Sequence, residues 1–361
     1  MTVSPGAQLI AELAETMPDP DKESRLAGLA RWDALAKPVG ALGRLEVIGG
    51  WVCATQGACP PAPITDVRVI VFAGDHGVAA SGVSAYPASV TASMVRTMVA
   101  GGAAVNVLAR QVGASVAVHD MAVDADLSDL GEAVVRHKVR RSTGSIDVED
   151  AMTLEQAVAA FQAGRSIADE AVDSGAQLLV VGDMGIGSTT PASVLVGLLT
   201  RSEVVEVVGR GTGIDDQAWM RKAAAIRDAM YRGRARLGDP LDLLAAVGGP
   251  DLAAMAGCLT QAGIRRTPVV LDGLVTTTAA LLAQRVSFRA PRWFVAGHRS
   301  TEPAHSKALE RLGLTPLLEA EMHLGEGTGA LVAVPMVTAA AALLAEMAEL
   351  SDVVDEVRPE R

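Results

Sequence analysis

Along this chain, short runs of uninterrupted apolar residues alternate with longer stretches whose apolar positions recur at helical spacing. The short runs are VRVIVFAG (67–74), SVAVHDMAV (115–123), QLLVVGD (177–183), TPVVLDG (267–273) and WFVAGH (293–298), each closed by glycine or a charged residue. Such runs suit strands covered on both faces, as in a parallel sheet. Between them, Thr153 and Gln156 are spaced as a capping box, which opens a helix expected to run to about Ser174. The first sixty residues read as helices, with Ala7–Thr16 and Glu23–Ala36 parted by MPDPD, and Pro60, Pro61 and Pro63 mark a boundary. The repeated order strand, helix, strand predicts an α/β fold in three layers, α/β/α, around a mostly parallel sheet. Ligands of such sheets bind outside the carboxyl ends of the strands, where this sequence places its glycine-rich and charged segments. Thr328–Met347 is the longest apolar run; it is alanine-rich, carries Pro335, and reads as a core helix. The acidic tail after Leu350 is expected to fray.

Composition narrows this picture. Half the residues are apolar but only 3% are aromatic, so alanine, valine, leucine and glycine must build the core. The length of 361 residues fits two domains. A formal net charge of −11 argues against nucleic acid or an anionic membrane as partner, yet leaves room for a small anionic ligand held by local donors. Cys53, Cys59 and Cys258 lack metal-ligand spacing and read as buried or idle thiols of a reducing compartment. The first residues show no basic segment followed by an apolar one, so the expected location is the cytoplasm.

The most informative stretch is QLLVVGDMGIGSTTPASVLVGLL (177–199). A strand runs into Gly182, a loop of glycines and hydroxyls follows, and Pro191 stands where a helix would begin, with Thr190 as its expected cap. Gly185 and Gly187 let main-chain N–H groups converge on an anion at the positive end of that helix, and Ser188, Thr189 and Thr190 add hydroxyls. The Walker lysine is missing, so a small phosphate ester fits better than a nucleoside triphosphate. A tight strand-to-helix turn without a ligand is the plainer alternative.

Other segments follow strand ends in the same way. In VVGRGTGIDDQAWMRK (207–222), Asp215 and Asp216 favour a helix N-terminus, and Lys222 lies within reach of a phosphate, although a solvated helix lysine is the plainer reading. Asp75 and His76 close the first strand; with no second cluster of matching spacing they predict no metal, and His76 reads as orienting its loop. Ser84, Tyr86 and Pro87 make a semi-rigid lip suited to a flat ring. His298, Glu302 and His305 read as a hydrogen-bonded network at a strand end. Glu326 sits between two glycines, where burial would raise its pKa toward that of a general base; a helix N-terminal glutamate is the alternative.

Taken in order, KPVGALGRLE (37–46), FAGDHG, GVSAYP, GDMGIGSTT, GRGTGIDD, GGPDLAAMAG (248–257), PVVLDG, GHRSTEPAH and LGLTPLLEAEMHLGEGTGA resemble the nicotinate-nucleotide:dimethylbenzimidazole phosphoribosyltransferases, the CobT family, over roughly residues 30 to 340. The resemblance implies transfer of the 5-phosphoribosyl group of nicotinate mononucleotide to 5,6-dimethylbenzimidazole, with inversion, in assembly of the cobalamin lower ligand. It implies Glu326 as the base, assisted by Asp183. The donor's phosphate and ribose would lie on Gly185, Ile186, Gly187, Ser188, Thr189, Thr190, Gly211, Thr212 and Lys222, and the acceptor against Ser84, Tyr86, Pro87 and His323. It also implies a Rossmann-like catalytic domain (61–329), a small helical domain from residues 1–60 and 330–361, and a homodimer needing no metal or cofactor. Asp183 stands where the family has Glu, His323 where Arg is common, Ser188 where Asn is frequent, and Ala304 replaces a Gly. These departures keep open another base or a phenol as acceptor, and a mononucleotide-binding module without turnover remains the non-enzymatic alternative.

Overall fold

A computed structural model describes residues 5–353. All five apolar runs form strands: β1 (Val67–Gly74), β2 (Ser115–Ala122), β3 (Leu178–Met184), β4 (Val269–Leu271) and β5 (Phe294–Ala296). They make one sheet in the order β2-β1-β3-β4-β5, and every pairing is parallel. Register is plain at the centre, where Val71 pairs with both Val118 and Gly182, and Val181 with Leu271. β4 is shorter than its apolar run because Pro268 has no N–H to give the ladder and Asp272 turns its side chain to another task.

Alternate strand residues enter opposite cores. Ile70, Phe72, Leu179, Val181, Val269 and Leu271 face one layer, which holds helices Leu154–Asp173, Pro250–Ile264 and Leu274–Val286. Val67, Val69, Val71, Leu178, Val180 and Val270 face the other, which holds Ser89–Val99, Ala104–Gln111 and Thr328–Glu346. Small side chains allow close packing: Gly164 lies on Ala254, and Gly257 on Phe161, across two helices. The Thr153–Gln156 capping box forms in both directions, and Ser174 ends that helix.

Two stretches, 89–111 and 328–346, are apolar and long enough to cross a membrane by composition. In the second, Ala330, Leu331, Val334, Val337 and Ala341 pack against the sheet. The ends of the chain contribute to all three cores. Leu13 and Met17 belong to the large core, and Ala330–Ala341 lies on a sheet face, whereas Trp32, Leu35, Cys53 and Leu344 form a small separate core. Leu350–Val353 is a helical turn, and the rest of the expected frayed tail lies outside the described residues. The three cysteines are free, and burial pushes the Cys258 thiol up to about 12.

The order of the strands reverses between β1 and β3, since β1 leads outward to β2 and the chain then returns across it. A crevice opens at such a reversal, at the carboxyl ends of the strands.

Candidate active site

Asp75 and His76 leave the end of β1 and are both buried. Asp75 accepts from Thr91 Oγ1 at 2.6 Å and from the Asp124 N–H at 2.8 Å. Thr91 Oγ1 in turn accepts the Ile186 N–H at 3.0 Å. His76 Nε2 lies 3.1 Å from Asp251 Oδ2. Burial pulls the His76 pKa down, but Asp251, Asp75 and Asp183 outweigh it and the net shift is upward. Asp75 thus braces the loop after β3 through Thr91 and Ile186, whereas the His76 side chain, expected to orient its own loop, reaches instead to Asp251 on the Pro250–Ile264 helix.

At the end of β3 the loop turns sharply. The Ser188 and Thr190 N–H groups close it onto the Gly185 and Gly187 carbonyls, while those of Gly187 and Thr189 have no partner among the described residues. The helix starts at Thr189, with Ser188 at the cap position, so Thr190 is not the cap. The turn is already helical at Ser188, which moves Pro191 to the third position, where a missing N–H costs nothing. Ser188 Oγ instead donates to Asp183 Oδ2 at 3.3 Å.

Lys222 is not a solvated lysine. It is fully buried on the Asp216–Gly233 helix, which Asp215 caps by accepting the Ala218 N–H at 2.8 Å. Its Nζ donates to Thr189 Oγ1 at 2.8 Å. Burial lowers the ammonium pKa, and the charge of Glu302 offsets part of that. The glycine-rich turn that precedes this helix clasps the lip, because Thr212 Oγ1 lies 3.1 Å from Ser84 Oγ and accepts the Ala85 N–H at 2.9 Å.

Glu326 enters from a different part of the chain. Residues 325–327 all have positive φ, with Glu326 at +63°, a conformation rare for a residue with a side chain. Three bonds hold it: the Glu326 N–H donates to the Asp183 carbonyl at 3.0 Å, and Asp272 accepts the N–H groups of Gly327 at 3.1 Å and Ala330 at 3.0 Å. Gly182 is required beneath this turn, since a Cβ there would lie 2.4 Å from the Glu326 carbonyl. The Glu326 side chain is buried, and its Oε2 accepts the Val105 N–H at 3.3 Å. Burial raises its pKa; the Val105 bond opposes this and the charge of Asp272 adds to it. Asp183 is pushed up to about 7 by burial, then by the charges of Asp272 and Asp251. Asp183 can therefore take up a proton near neutral pH, and Glu326, its pKa also raised, faces the same cavity.

That cavity measures about 420 Å³ and brings most of the expected residues together. Ser84, Tyr86, Asp183, Gly185, Ile186, Gly187, Ser188, Thr189, Gly211, Thr212, His323 and Glu326 all line it. Lys222 stands just behind Thr189. Two more expected residues are off the wall: Thr190 is fully buried in the helix, and Pro87 is exposed on the approach to the Ser89–Val99 helix. Ile186 lines the cavity, but its N–H is committed to Thr91. The expected network of His298, Glu302 and His305 is only partly formed. His305 Nδ1 accepts the Ser300 N–H at 3.0 Å, so its Nε2 carries the proton toward Thr277 Oγ1, also at 3.0 Å. Burial holds His305 down to about 3, hence neutral. Glu302 leaves this network and accepts the Gly211 N–H at 2.8 Å. Sequence reasoning missed Asp251 and Asp272 and placed Glu302 with the histidines; the signals present were Gly273 beside Asp272 at the end of β4 and the Gly248–Gly249 pair before Asp251.

Comparison with known proteins bears on this geometry. The DBI_PRT family model, described as phosphoribosyltransferase, matches residues 17–354. Proteins named nicotinate-nucleotide–dimethylbenzimidazole phosphoribosyltransferase from Mycobacterium marinum and Mycobacterium tuberculosis are each 56% identical over 333 residues, covering 92% of this chain and 92% of theirs. A crystal structure under the same name from Thermus thermophilus superposes with a TM-score of 0.88 at 40% identity, covering 94% of this chain and 100% of that one. A second from that organism, described as CobT, gives 0.86 at 41% identity, covering 92% and 98%. With this match along nearly its whole length, the chain belongs to the nicotinate-nucleotide–dimethylbenzimidazole phosphoribosyltransferase family.

Proposed function

We propose that the cavity transfers the 5-phosphoribosyl group of nicotinate mononucleotide to 5,6-dimethylbenzimidazole, releasing nicotinate and giving α-ribazole 5′-phosphate. The observation that carries this reading is the buried Glu326 carboxylate fixed by its main chain to Asp183, at the root of the phosphate-type loop. The donor's pyridine nitrogen is already cationic, so the breaking C1′–N bond returns its electron pair to nitrogen and the leaving group needs no general acid. C1′ becomes oxocarbenium-like, and the unprotonated ring nitrogen of the acceptor attacks from the opposite face. The remaining N–H proton passes to Glu326, whose raised pKa suits it as acceptor. Neither step asks for a metal or a cofactor.

Phosphate is held by the free Gly187 and Thr189 amides at a helix N-terminus, with Lys222 supplying charge from behind. Gly211 and Thr212 close over the sugar. The acceptor ring lies among Val83, Val90, Met94 and Leu324, with Ser84, Tyr86 and His323 at the rim. The reading includes a cytoplasmic homodimer. Its support is the free thiols, and exposed Tyr86 (56%) and Leu324 (58%) at the cavity, which a second copy can cover.

The test is product identification by mass spectrometry, with nicotinate mononucleotide and several competing bases in one mixture. α-Ribazole phosphate should dominate, and Glu326→Ala should lose roughly 100-fold or more in turnover. Nicotinate mononucleotide binding without nicotinate release would support the module without turnover, and another ribosylated base would change the acceptor.

A further inference from the structure

Glu302 stands at the start of the Pro303–Leu312 helix but makes no capping bond to it. Its side chain turns away to the cavity wall, where the residue is only 6% exposed. Oε1 is fixed by the Gly211 N–H at 2.8 Å, while Oε2 has no hydrogen-bond partner among the described residues. The opposite backbone makes room for it, since a Cβ at Gly209 would lie 2.0 Å from Oε2. A buried carboxylate oxygen left unpaired costs stability, so its retention beside a ligand cavity calls for a donor from the ligand.

The substrates' own chemistry narrows that donor. A phosphate or the nicotinate carboxylate would be repelled by Glu302, and Lys222, behind Thr189, draws the phosphate to the neighbouring loop. The acceptor has a single N–H, which goes to Glu326. What remains is the pair of ribose hydroxyls. We propose that Glu302 is the specificity-determining residue for the donor's sugar, with Oε2 accepting a hydrogen bond from a ribose hydroxyl. This rests on the phosphoribosyl-transfer reading above. A hydroxyl polarised by a carboxylate also brings negative charge close to C1′ as that carbon becomes cationic, so the bond strengthens in the transition state.

The experiment measures kcat/KM for nicotinate mononucleotide and for its 2′-deoxy and 3′-deoxy forms, with dimethylbenzimidazole as acceptor. Wild type should use at least one deoxy donor roughly 10- to 100-fold less well, the value of one hydrogen bond to a charged group. Glu302→Ala should reduce that ratio to within about 3-fold, because the discriminating acceptor is gone. A wild-type ratio near one for both deoxy donors overturns the proposal, and so does a variant that keeps the wild-type ratio. If Glu302→Ala fails to fold, Glu302→Asp, which withdraws the carboxylate by one methylene, should show the same reduction. Wild type that makes no product even from nicotinate mononucleotide fails the parent reading instead, which separates the two.

Discussion

Glu326 and Asp183, more than a third of the chain apart, are joined by a main-chain hydrogen bond of 3.0 Å from the Glu326 N–H to the Asp183 carbonyl. The proposed base is thereby referenced to the central strand of the sheet, the stiffest part of the fold. Its side chain inherits that position without depending on a flexible loop.

Gly182→Ala tests this arrangement from below. The new methyl would lie 2.4 Å from the Glu326 carbonyl and 2.6 Å from the Gly327 nitrogen, so the turn must move. Displacement by about an ångström at a reacting group costs on the order of 100-fold, and turnover should fall by that much while far-ultraviolet circular dichroism stays near wild type. Near-native turnover in a folded variant would show that the turn is not what positions the base.

The proton on Asp183 gives a pH signature. Its folded value of about 7 lies above the ordinary 3.8, so between the two the folded chain holds a proton that the unfolded chain has released. Stability must therefore fall as pH rises through that window and level off above about pH 7. Asp183→Asn cannot ionise and should escape this loss. Its melting temperature relative to wild type should gain about 6 °C between roughly pH 4 and pH 8. Parallel curves would mean that Asp183 titrates normally in the fold.

Lys222→Met separates charge from packing. Methionine fills most of the same buried space without an ammonium, so the melting temperature should hold or rise. Loss of a charge-assisted contact behind Thr189 should raise KM for nicotinate mononucleotide roughly 10- to 100-fold, with a smaller change in kcat. An unchanged KM would remove Lys222 from phosphate binding.

These tests rest on features of unequal legibility. The five strands were readable because both of their faces are covered, which leaves uninterrupted apolar runs with clear ends. Glu326 was readable because two glycines flank it, and the structure explains them by the run of positive φ angles. Thr190 was misplaced as a cap because proline tolerates any of the first helical positions, so the sequence left the start ambiguous by two residues. Lys222 looked solvated because a helix shows its own periodicity but not the turn that covers it. Asp251, Asp272 and Glu302 act on residues far along the chain, and the glycines near the first two mark a turn without naming the partner. Their partners became visible only in the folded chain, where His76, Gly327 and Gly211 come within hydrogen-bond reach of them.

Asp272, at the end of β4, ties down the first turn of the Thr328–Glu346 helix through two N–H groups, and the residue before that turn is the proposed base, Glu326. The sheet's strands are all made earlier in synthesis than the segment they hold. A nascent chain can thus assemble its central layer, with Asp183 already at the end of β3, before the proposed base Glu326 is fixed over it. On the proposed role of Glu326, turnover should require the last long helix to dock, so activity would report completion of the fold from β1 to that helix.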